Sequence, residues 1–172
     1  IDDGYRTGYS FVADLARYYK LPVSFGIDRF YIGASATYMT EAMIRELHAD
    51  TSDLFEFVTH GYSNTNLTAA GSAEAYAQQQ VGTRAYLRSL GIAGDGPNHH
   101  PWVQSVYSND AVAALKAAGF LSARIGGTGT ESNWPDFWYT GQDKQAFHQV
   151  ACISPTTGLT VSDLQTNVTA AV

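Results

Sequence analysis

The alternation of strand-like and helix-like segments is the feature that most restricts the fold of this chain. Short apolar runs at residues 22–27, 54–59 and 120–125 predict strands, with a further possible strand at 100–103. Because strands that alternate with helices pair in parallel, the sequence predicts an α/β fold with a parallel sheet or barrel. The segments with helical spacing or helix-capping residues cover 8–20, 40–49, 72–91 and 108–119.

The same pattern continues to the end of the chain. A loop rich in Gly and Trp is predicted at 126–140, a strand at 147–153 and a last helix from Thr160. The first strand has almost no residues before Asp2, and no strand follows the last helix. We therefore expect residues 1–172 to form a single domain from a longer chain, with a barrel that is incomplete at both ends.

Composition narrows the class of partner. Hydrophobic residues make up 45% of the chain and charged residues 15%, which is typical of a folded globular protein. The net charge of −6 and the lack of a Lys/Arg-rich run argue against a nucleic-acid partner, and no apolar run is long enough to span a bilayer. The 11 Tyr and 3 Trp residues suit a sugar-binding cleft, because their flat faces cover the apolar C–H patches of sugar rings.

Two carboxylates and a histidine are expected at one edge of the predicted sheet. Asp2 and Asp3 follow the remnant of a first strand. His60 follows the strand at 54–59, and Asn64 lies four residues further on. The carboxyl ends of parallel strands meet at one edge, where a divalent metal would relieve the repulsion between adjacent carboxylates. Asp3, His60 and Asn64 can then hold zinc or a similar ion, which leaves the other carboxylate free to accept a proton.

Each pattern also has an ordinary structural interpretation. The acidic pair can be a polar turn in which Gly4 supplies backbone freedom, and His60 can be a partly buried histidine beside a turn. Residues 98–102, with two histidines and a tryptophan, can supply a ligand, an acid or a sugar platform, or form an exposed loop anchored by the tryptophan. The loop at 131–138, which contains Trp134, can be a sugar-binding wall or a hydrophobic plug over a barrel end.

Five segments match, in order along the chain, the motifs of a known family, and one of them, residues 39–48, fits the helix before the second motif. Residues 1–5 (IDDGY) are a variant of the motif TFDDG, and residues 55–64 (FEFVTHGYSN) are a variant of EIGNHTYSH. Residues 21–27 fit a second strand, and residues 108–124 fit a helix and strand of the form ND…LKxAGF…AR. This series resembles that of polysaccharide deacetylases with the NodB homology domain (carbohydrate esterase family 4). The resemblance implies an α/β fold, the distorted (β/α) barrel of the NodB type.

The resemblance implies a role for each matching residue. Asp2 is the expected catalytic base, and Asp3 and His60 are expected metal ligands. Asn64 stands where the family has a second histidine ligand, and an Asn oxygen can still bind a divalent metal, for which zinc is expected. Substrate contacts are expected from six residues: Tyr5, His99, His100, Pro101, Trp102 and Trp134.

Three departures from the family pattern affect the expected chemistry. Residues 101–102 are Pro-Trp where the family has Pro-Tyr, and His99 lies near the position of an arginine that orients the base, so this arginine is not evident. The fourth motif is represented at best by Trp134 and its neighbours. The fifth motif, Leu-x-Leu-His, with its general-acid histidine, is expected beyond Val172. Within the chain, His99 or His100 would have to serve.

The expected activity is removal of N- or O-linked acetyl groups from an acetylated polysaccharide, outside the cell or in the cell envelope. The metal polarises the acetyl carbonyl, Asp2 accepts the proton of water, and a backbone N–H near Trp102 is the expected second donor to the oxyanion. One alternative is a non-catalytic glycan-binding or structural module on a degenerate deacetylase fold, which Asn64 and the missing motifs favour. Another is a different sugar-active metal hydrolase on the same barrel.

Overall fold

The computed structural model of the protein describes residues 1–124, in which helices and strands alternate as the sequence predicts. All four predicted strands and all four predicted helices of this region are confirmed, and a short additional helix, α3, is present. The helices are α1, which joins a π-helical turn (Gly8–Val12) to Ala13–Tyr19, α2 (Glu41–His48), α3 (Leu67–Ala70), α4 (Ala73–Ser89) and α5 (Asn109–Ala117). The strands are β1 (Val23–Asp28), β2 (Phe55–Gly61), β3 (His99–Pro101) and β4 (Ser122–Arg124).

Several predictions concern the remaining residues. The loop at 126–140 with Trp134, the strand at 147–153 and the last helix lie outside the described residues. The assignment of residues 1–172 to a single domain therefore stays a prediction. Within the described part of the chain, no helix is both long and apolar enough to cross a bilayer.

Three helices begin at side-chain caps that the sequence indicates. Thr40, Ser72 and Ser108 precede α2, α4 and α5 in extended backbone conformation. Their hydroxyl oxygens accept the backbone N–H three residues further on, at 3.3, 3.1 and 3.1 Å. A cap of this kind stabilises a helix by about 1 kcal/mol. The sequence leaves Ser108 and Asn109 open as the start of α5, and the cap shows that it is Ser108.

The strands pair in parallel. β1 pairs with β2 from Val23 opposite Phe55 to Asp28 opposite Gly61, with a register shift just before Asp28. β3 pairs with β4 in the same sense. The parallel pairing predicted from the alternation of strands and helices is therefore confirmed. The described residues form two two-stranded sheets, so closure into a barrel stays a prediction.

Side-chain hydrogen bonds connect the two sheets. Thr59, on β2, donates its hydroxyl to the carbonyl of His99, on β3, at 3.0 Å. The next residue, His60, places its Nδ1 2.9 Å from the carbonyl oxygen of Pro101. β2 and β3 are therefore neighbours, and the order of the strands across the molecule is β1, β2, β3, β4.

The two outer edges of this arrangement meet. The first residue lies beside β1, because the Gly26 N–H donates to the Ile1 carbonyl at 2.7 Å and the Ile1 nitrogen donates to the Ser24 carbonyl at 2.8 Å. At the other edge, Arg124 ends β4 and contacts Asp2 at 2.7 Å. The strands therefore form a curved wall whose C-terminal ends surround one opening. This curvature agrees with a barrel-like α/β fold.

Two apolar clusters hold the helices against the sheets. One lies between α1, α2 and the β1–β2 sheet and includes Phe25 and Phe57, whose rings stack at 5.6 Å. The other lies between α4, α5 and the β3–β4 sheet and includes Tyr76, Trp102 and Phe120. These five side chains are at most 4% exposed. Burial of one such side chain contributes about 2–3 kcal/mol, so these clusters fix the strand ends that form the opening.

His100 lies in the second cluster, which corrects the prediction that it contacts substrate or acts as the general acid. It is 1% exposed, and its ring packs edge-on against Tyr76, Trp102 and Phe120. Its Nδ1 lies 3.1 Å from the Thr59 carbonyl, and its Nε2 lies 2.8 Å from the Tyr76 hydroxyl. Both ring nitrogens are therefore occupied within the protein. Burial lowers the pKa of His100 from 6.5 to about 3.

This buried histidine is expected to make stability fall in mild acid. Because its pKa is lower in the folded state, the unfolded state binds the extra proton as the pH falls from 6.5 towards 3. At pH 5 the contribution of His100 is a loss of about 2 kcal/mol relative to pH 7.5. Urea unfolding at pH 5 and pH 7.5 measures the free energy of unfolding of the wild type and of His100→Gln. The variant is expected to lose about 2 kcal/mol less than the wild type between the two pH values, and equal losses would contradict the prediction.

Candidate functional site

The opening at the C-terminal ends of the strands is a pocket that brings together several of the predicted site residues. Asp2 and Asp3 come from the start of the chain and His60 from β2, far away in the sequence, and Asn64 and Trp102 also line the pocket. The complete lining consists of Asp2, Asp3, Tyr31, His60, Asn64, Trp102, Val103, Gln104 and Ser105. The roles of these residues stay predictions.

His60 is held with one nitrogen facing the pocket. The side chain is 5% exposed, and its Nδ1 lies 2.9 Å from the Pro101 carbonyl oxygen, which can only accept, so Nδ1 carries the hydrogen. Its Nε2 faces Asp3 Oδ1 at 3.4 Å. Burial acts to lower the pKa of His60, but the contact with the Asp3 carboxylate and the charge of Asp2 outweigh it, and the pKa is raised. The fixed Nδ1–H leaves Nε2 as the nitrogen available to a metal.

The spacing of Asp3 and His60 fits two ligands of one metal ion. Their separation of 3.4 Å is longer than a good N–H···O hydrogen bond, which is about 2.9 Å. Two ligand atoms about 2.0–2.1 Å from a tetrahedral zinc ion lie about 3.3 Å apart. Within residues 1–124, no three His, Cys, Asp or Glu side chains are grouped closely enough to hold a metal ion. Asn64 stays the predicted third ligand from this region, because a carboxylate, an imidazole and an amide oxygen together suit a divalent ion.

Asn64 lies on the loop that follows β2 and lines the pocket. It is exposed and has a left-handed backbone conformation, with φ of 52°. Asn adopts this conformation more readily than most other residues with a side chain. Its backbone N–H donates to Asp28 Oδ2 at 2.8 Å. This hydrogen bond ties the loop to the end of β1.

Asp2 is paired with Arg124, a functional candidate that the sequence does not identify. The Arg124 Nη2 donates to Asp2 Oδ1 at 2.7 Å. Burial acts to raise the pKa of Asp2, but the charges of His60 and Arg124 outweigh it, so the pKa is lowered and the carboxylate is ionised at neutral pH. An arginine that orients Asp2 is therefore present, although none is evident near His99. The only signal for it in the sequence is the Ala-Arg pair that ends the match over 108–124.

The backbone N–H groups of Trp102 and Val103 do not provide the expected oxyanion donor. The Trp102 N–H donates to the Arg124 carbonyl at 2.8 Å, and the Val103 N–H donates to the Tyr76 hydroxyl at 3.3 Å. The prediction is therefore corrected for these two residues, because β4 and α4 use both donors. The Trp102 indole is 4% exposed and stacks on Tyr76 at 5.5 Å, so it does not offer an open face to a sugar ring.

Three other predicted substrate contacts are not among the residues that line the pocket. His99 is half-buried, and its Nδ1 lies 2.7 Å from Ser122 Oγ. Pro101 is buried and uses its carbonyl to orient His60. These contacts are structural, and the substrate contacts expected of His99 and Pro101 stay predictions. Tyr5 is 40% exposed and stacks on a neighbouring tyrosine at 5.2 Å, outside the lining.

Four lining residues have no counterpart in the sequence prediction: Tyr31, Val103, Gln104 and Ser105. Tyr31 stacks on Tyr38 at 4.4 Å and closes one side of the pocket. Gln104 and Ser105 close the other side in consecutive left-handed conformations, with φ of 54° and 57°. Neither residue type favours this conformation, so nothing in the local sequence indicates the turn. Backbone strain of this kind is concentrated at functional sites.

Solved structures of deacetylases share this fold. The Streptococcus pyogenes deacetylase PplD in complex with acetate aligns with a TM-score of 0.60 at 13% identity, over 69% of this chain and 50% of that one. IcaB from Ammonifex degensii aligns with a TM-score of 0.61 at 18% identity, over 72% and 56%. A family 4 carbohydrate esterase from Streptomyces lividans in complex with acetate aligns with a TM-score of 0.53 at 13% identity, over 74% and 60%.

These neighbours define the class of fold. The resemblance to polysaccharide deacetylases is confirmed for the fold, and the low identities show the fold alone. The aligned part of this chain spans only about half the length of the first two structures. No protein-family model matches the sequence, and no curated protein matches it significantly.

Proposed function

We propose that the protein is a metal-dependent hydrolase that removes acetyl groups from an acetylated polysaccharide. One observation carries this proposal: an ionised Asp2 held by Arg124 lies beside an Asp3–His60 pair whose spacing suits one metal ion. The fold shared with solved deacetylases supports acetyl chemistry at this site. A polymeric substrate of this kind suits a location outside the cell or in the cell envelope.

Some pocket residues bind the metal in this proposal, and another accepts a proton. Asp3 and His60 hold a divalent ion, for which zinc is our proposal, and Asn64 is the third ligand from this region. When bound, this ion polarises the acetyl carbonyl and makes water at the site more acidic. Asp2 accepts the proton of the attacking water through Oδ2, because Oδ1 is held by Arg124. We assign the proton donor for the leaving group to a residue outside 1–124, since His99 and His100 do not line the pocket.

The test of this function is the product released from an acetylated glycan. Acetylated chitin, xylan and peptidoglycan fragments are incubated with the protein and zinc, and acetate and new reducing ends are measured together. We expect acetate without new reducing ends. Reducing ends without acetate would identify a glycoside-cleaving enzyme instead. Binding without either product would favour the non-catalytic module, which the Arg124–Asp2 pair does not favour.

Removing the guanidinium of Arg124 is expected to slow the reaction without weakening substrate binding. Arg124→Met leaves Asp2 without the 2.7 Å contact that orients it, so kcat is expected to fall about 10- to 100-fold while KM stays within about twofold. Steady-state kinetics with the best acetylated substrate measures both constants. Arg124→Lys is expected to restore part of kcat, since a charged donor is retained.

The matched control for Arg124 is Arg84→Met. Arg84 donates to the Ala118 carbonyl at 2.8 Å and lies over the Phe120 ring, away from the pocket lining. This variant is expected to lower stability but to leave kcat unchanged. If both variants lower kcat equally, Arg124 has only a structural role.

A further inference from the structure

Asp28 is a buried carboxylate beside the pocket that the proposed reaction does not use. It ends β1 and is 0% exposed. An ionisable side chain buried to this degree is costly unless its oxygen atoms are hydrogen-bonded. It is the last residue of β1, so its hydrogen bonds can fix the segments beside the pocket.

The two carboxylate oxygens of Asp28 have separate partners. Oδ1 accepts the N–H of Phe30 at 2.8 Å, which forms a local turn after β1. Oδ2 accepts the N–H of Asn64 at 2.8 Å, from a loop that is 36 residues away in sequence. The second bond therefore crosses from the end of β1 to the candidate metal ligand that follows β2.

The surrounding backbone is adapted to this crossing contact. A side chain at Gly61 would occupy the space of the Asp28 carboxylate, so glycine is needed where the carboxylate passes β2. The register of β1 and β2 shifts at the same point, which pairs Asp28 with Gly61. Asn64 itself has the left-handed φ of 52°. A glycine, a register shift and a left-handed loop residue thus coincide at this contact.

We propose that Asp28 is a positioning residue that sets the affinity of the site for a divalent metal by fixing Asn64 in the pocket. This inference rests on the proposed metal site. The carboxylate acts through the Asn64 backbone and does not itself touch the metal. Residues that orient metal ligands in this way typically change metal affinity about 10- to 100-fold when they are replaced.

The test is a double-mutant cycle read by zinc affinity, measured by competition with a chromophoric chelator. Asp28→Asn keeps the shape but replaces one acceptor oxygen by an NH₂ group, so Phe30 and Asn64 can no longer both be satisfied. We expect zinc to bind about 10-fold more weakly. In an Asn64→Ala background, the same Asp28→Asn change is expected to alter the affinity less than about twofold, because the ligand that Asp28 positions is already absent.

Two further variants keep this test decisive. Thr83→Val is the matched control, since the Thr83 hydroxyl donates to the Gly61 carbonyl at 2.7 Å on the same strand end but does not contact Asn64. It is expected to lower the unfolding temperature without changing the zinc affinity. If Asp28→Asn does not fold, Asp28→Ser, which is smaller and keeps one acceptor, replaces it in the cycle.

The outcomes separate this inference from the proposed function. Equal losses of zinc affinity in the wild-type and Asn64→Ala backgrounds, or no loss in either, overturn the positioning role while leaving the metal site in place. A wild-type protein that binds no zinc overturns both. If Asp28→Asn weakens zinc binding only when Asn64 is present, and no acetate is released, the role of Asp28 is supported and the deacetylase activity is contradicted.

Discussion

Replacing Asp2 by Asn is expected to lower the rate of acetate release about 10³-fold, within the range found for the loss of a general base. The amide has the shape of the carboxylate and keeps an oxygen for the 2.7 Å contact with Arg124, but it cannot accept a proton from water. The zinc content is expected to stay unchanged, because Asp3 and His60 are intact. The measurements are kcat/KM for the acetylated substrate and metal content by elemental analysis.

The control for this variant is Asp14→Asn. Asp14 is also an aspartate paired with an arginine, since its Oδ1 lies 3.1 Å from the Arg17 guanidinium, but it is exposed on α1 and remote from the pocket lining. Its replacement is expected to leave kcat/KM unchanged. An Asp2→Asn variant that keeps more than a tenth of the wild-type rate would show that another group takes the proton.

The elements of the fold could be predicted because their signals are local. Each of the caps Thr40, Ser72 and Ser108 precedes a run with helical spacing, and a hydroxyl in that place satisfies a free backbone N–H whatever the rest of the chain does. Parallel pairing follows from the alternation of strands and helices. The curvature that brings Arg124 to Asp2 is not local, since it depends on how each sheet packs on its helices.

The candidate site was predictable where topology alone brings residues together. Asp3 and His60 meet because the first residue lies beside β1 and His60 is near the end of β2, so that both reach the same edge. His100 was misplaced because adjacent residues of a strand face opposite sides, and the sequence does not show which side α4 covers. The hydroxyl of Tyr76, which occupies the His100 Nε2, belongs to that helix. Asp28 was missed because its partner, the Asn64 N–H, carries no side-chain signal.

Arg124 shows the limit of motif comparison. The resemblance implies a base-orienting arginine near the position of His99, and the sequence has none there. In the folded chain the guanidinium comes from the end of β4, the strand that pairs with the strand beginning at His99. A charge with the same partner can be supplied from a neighbouring strand, because only its position relative to Asp2 matters for the chemistry. The absence of a motif residue therefore does not show that a site is degenerate.

Loss of the metal is expected to abolish the activity. Dialysis of the wild type against a strong chelator should lower acetate release by at least about 10³-fold, since the polarised carbonyl and the acidified water are both lost, and added zinc should restore it. His60→Ala removes the Nε2 that faces Asp3 at 3.4 Å, so this variant is expected to bind little zinc and to stay inactive when zinc is added. Metal content and acetate release are measured on the same samples.

The matched control is His99→Ala, on the strand next to His60. Like the buried His60, the half-buried His99 has a hydrogen-bonded Nδ1, but its partner is Ser122 and it does not line the pocket. The variant is expected to keep both its zinc and its activity, although it loses one hydrogen bond between β3 and β4. Full activity in a wild-type sample that contains no metal would rule out the metal mechanism. Equal losses of zinc in the two histidine variants would mean that His60 acts through the fold and not as a ligand.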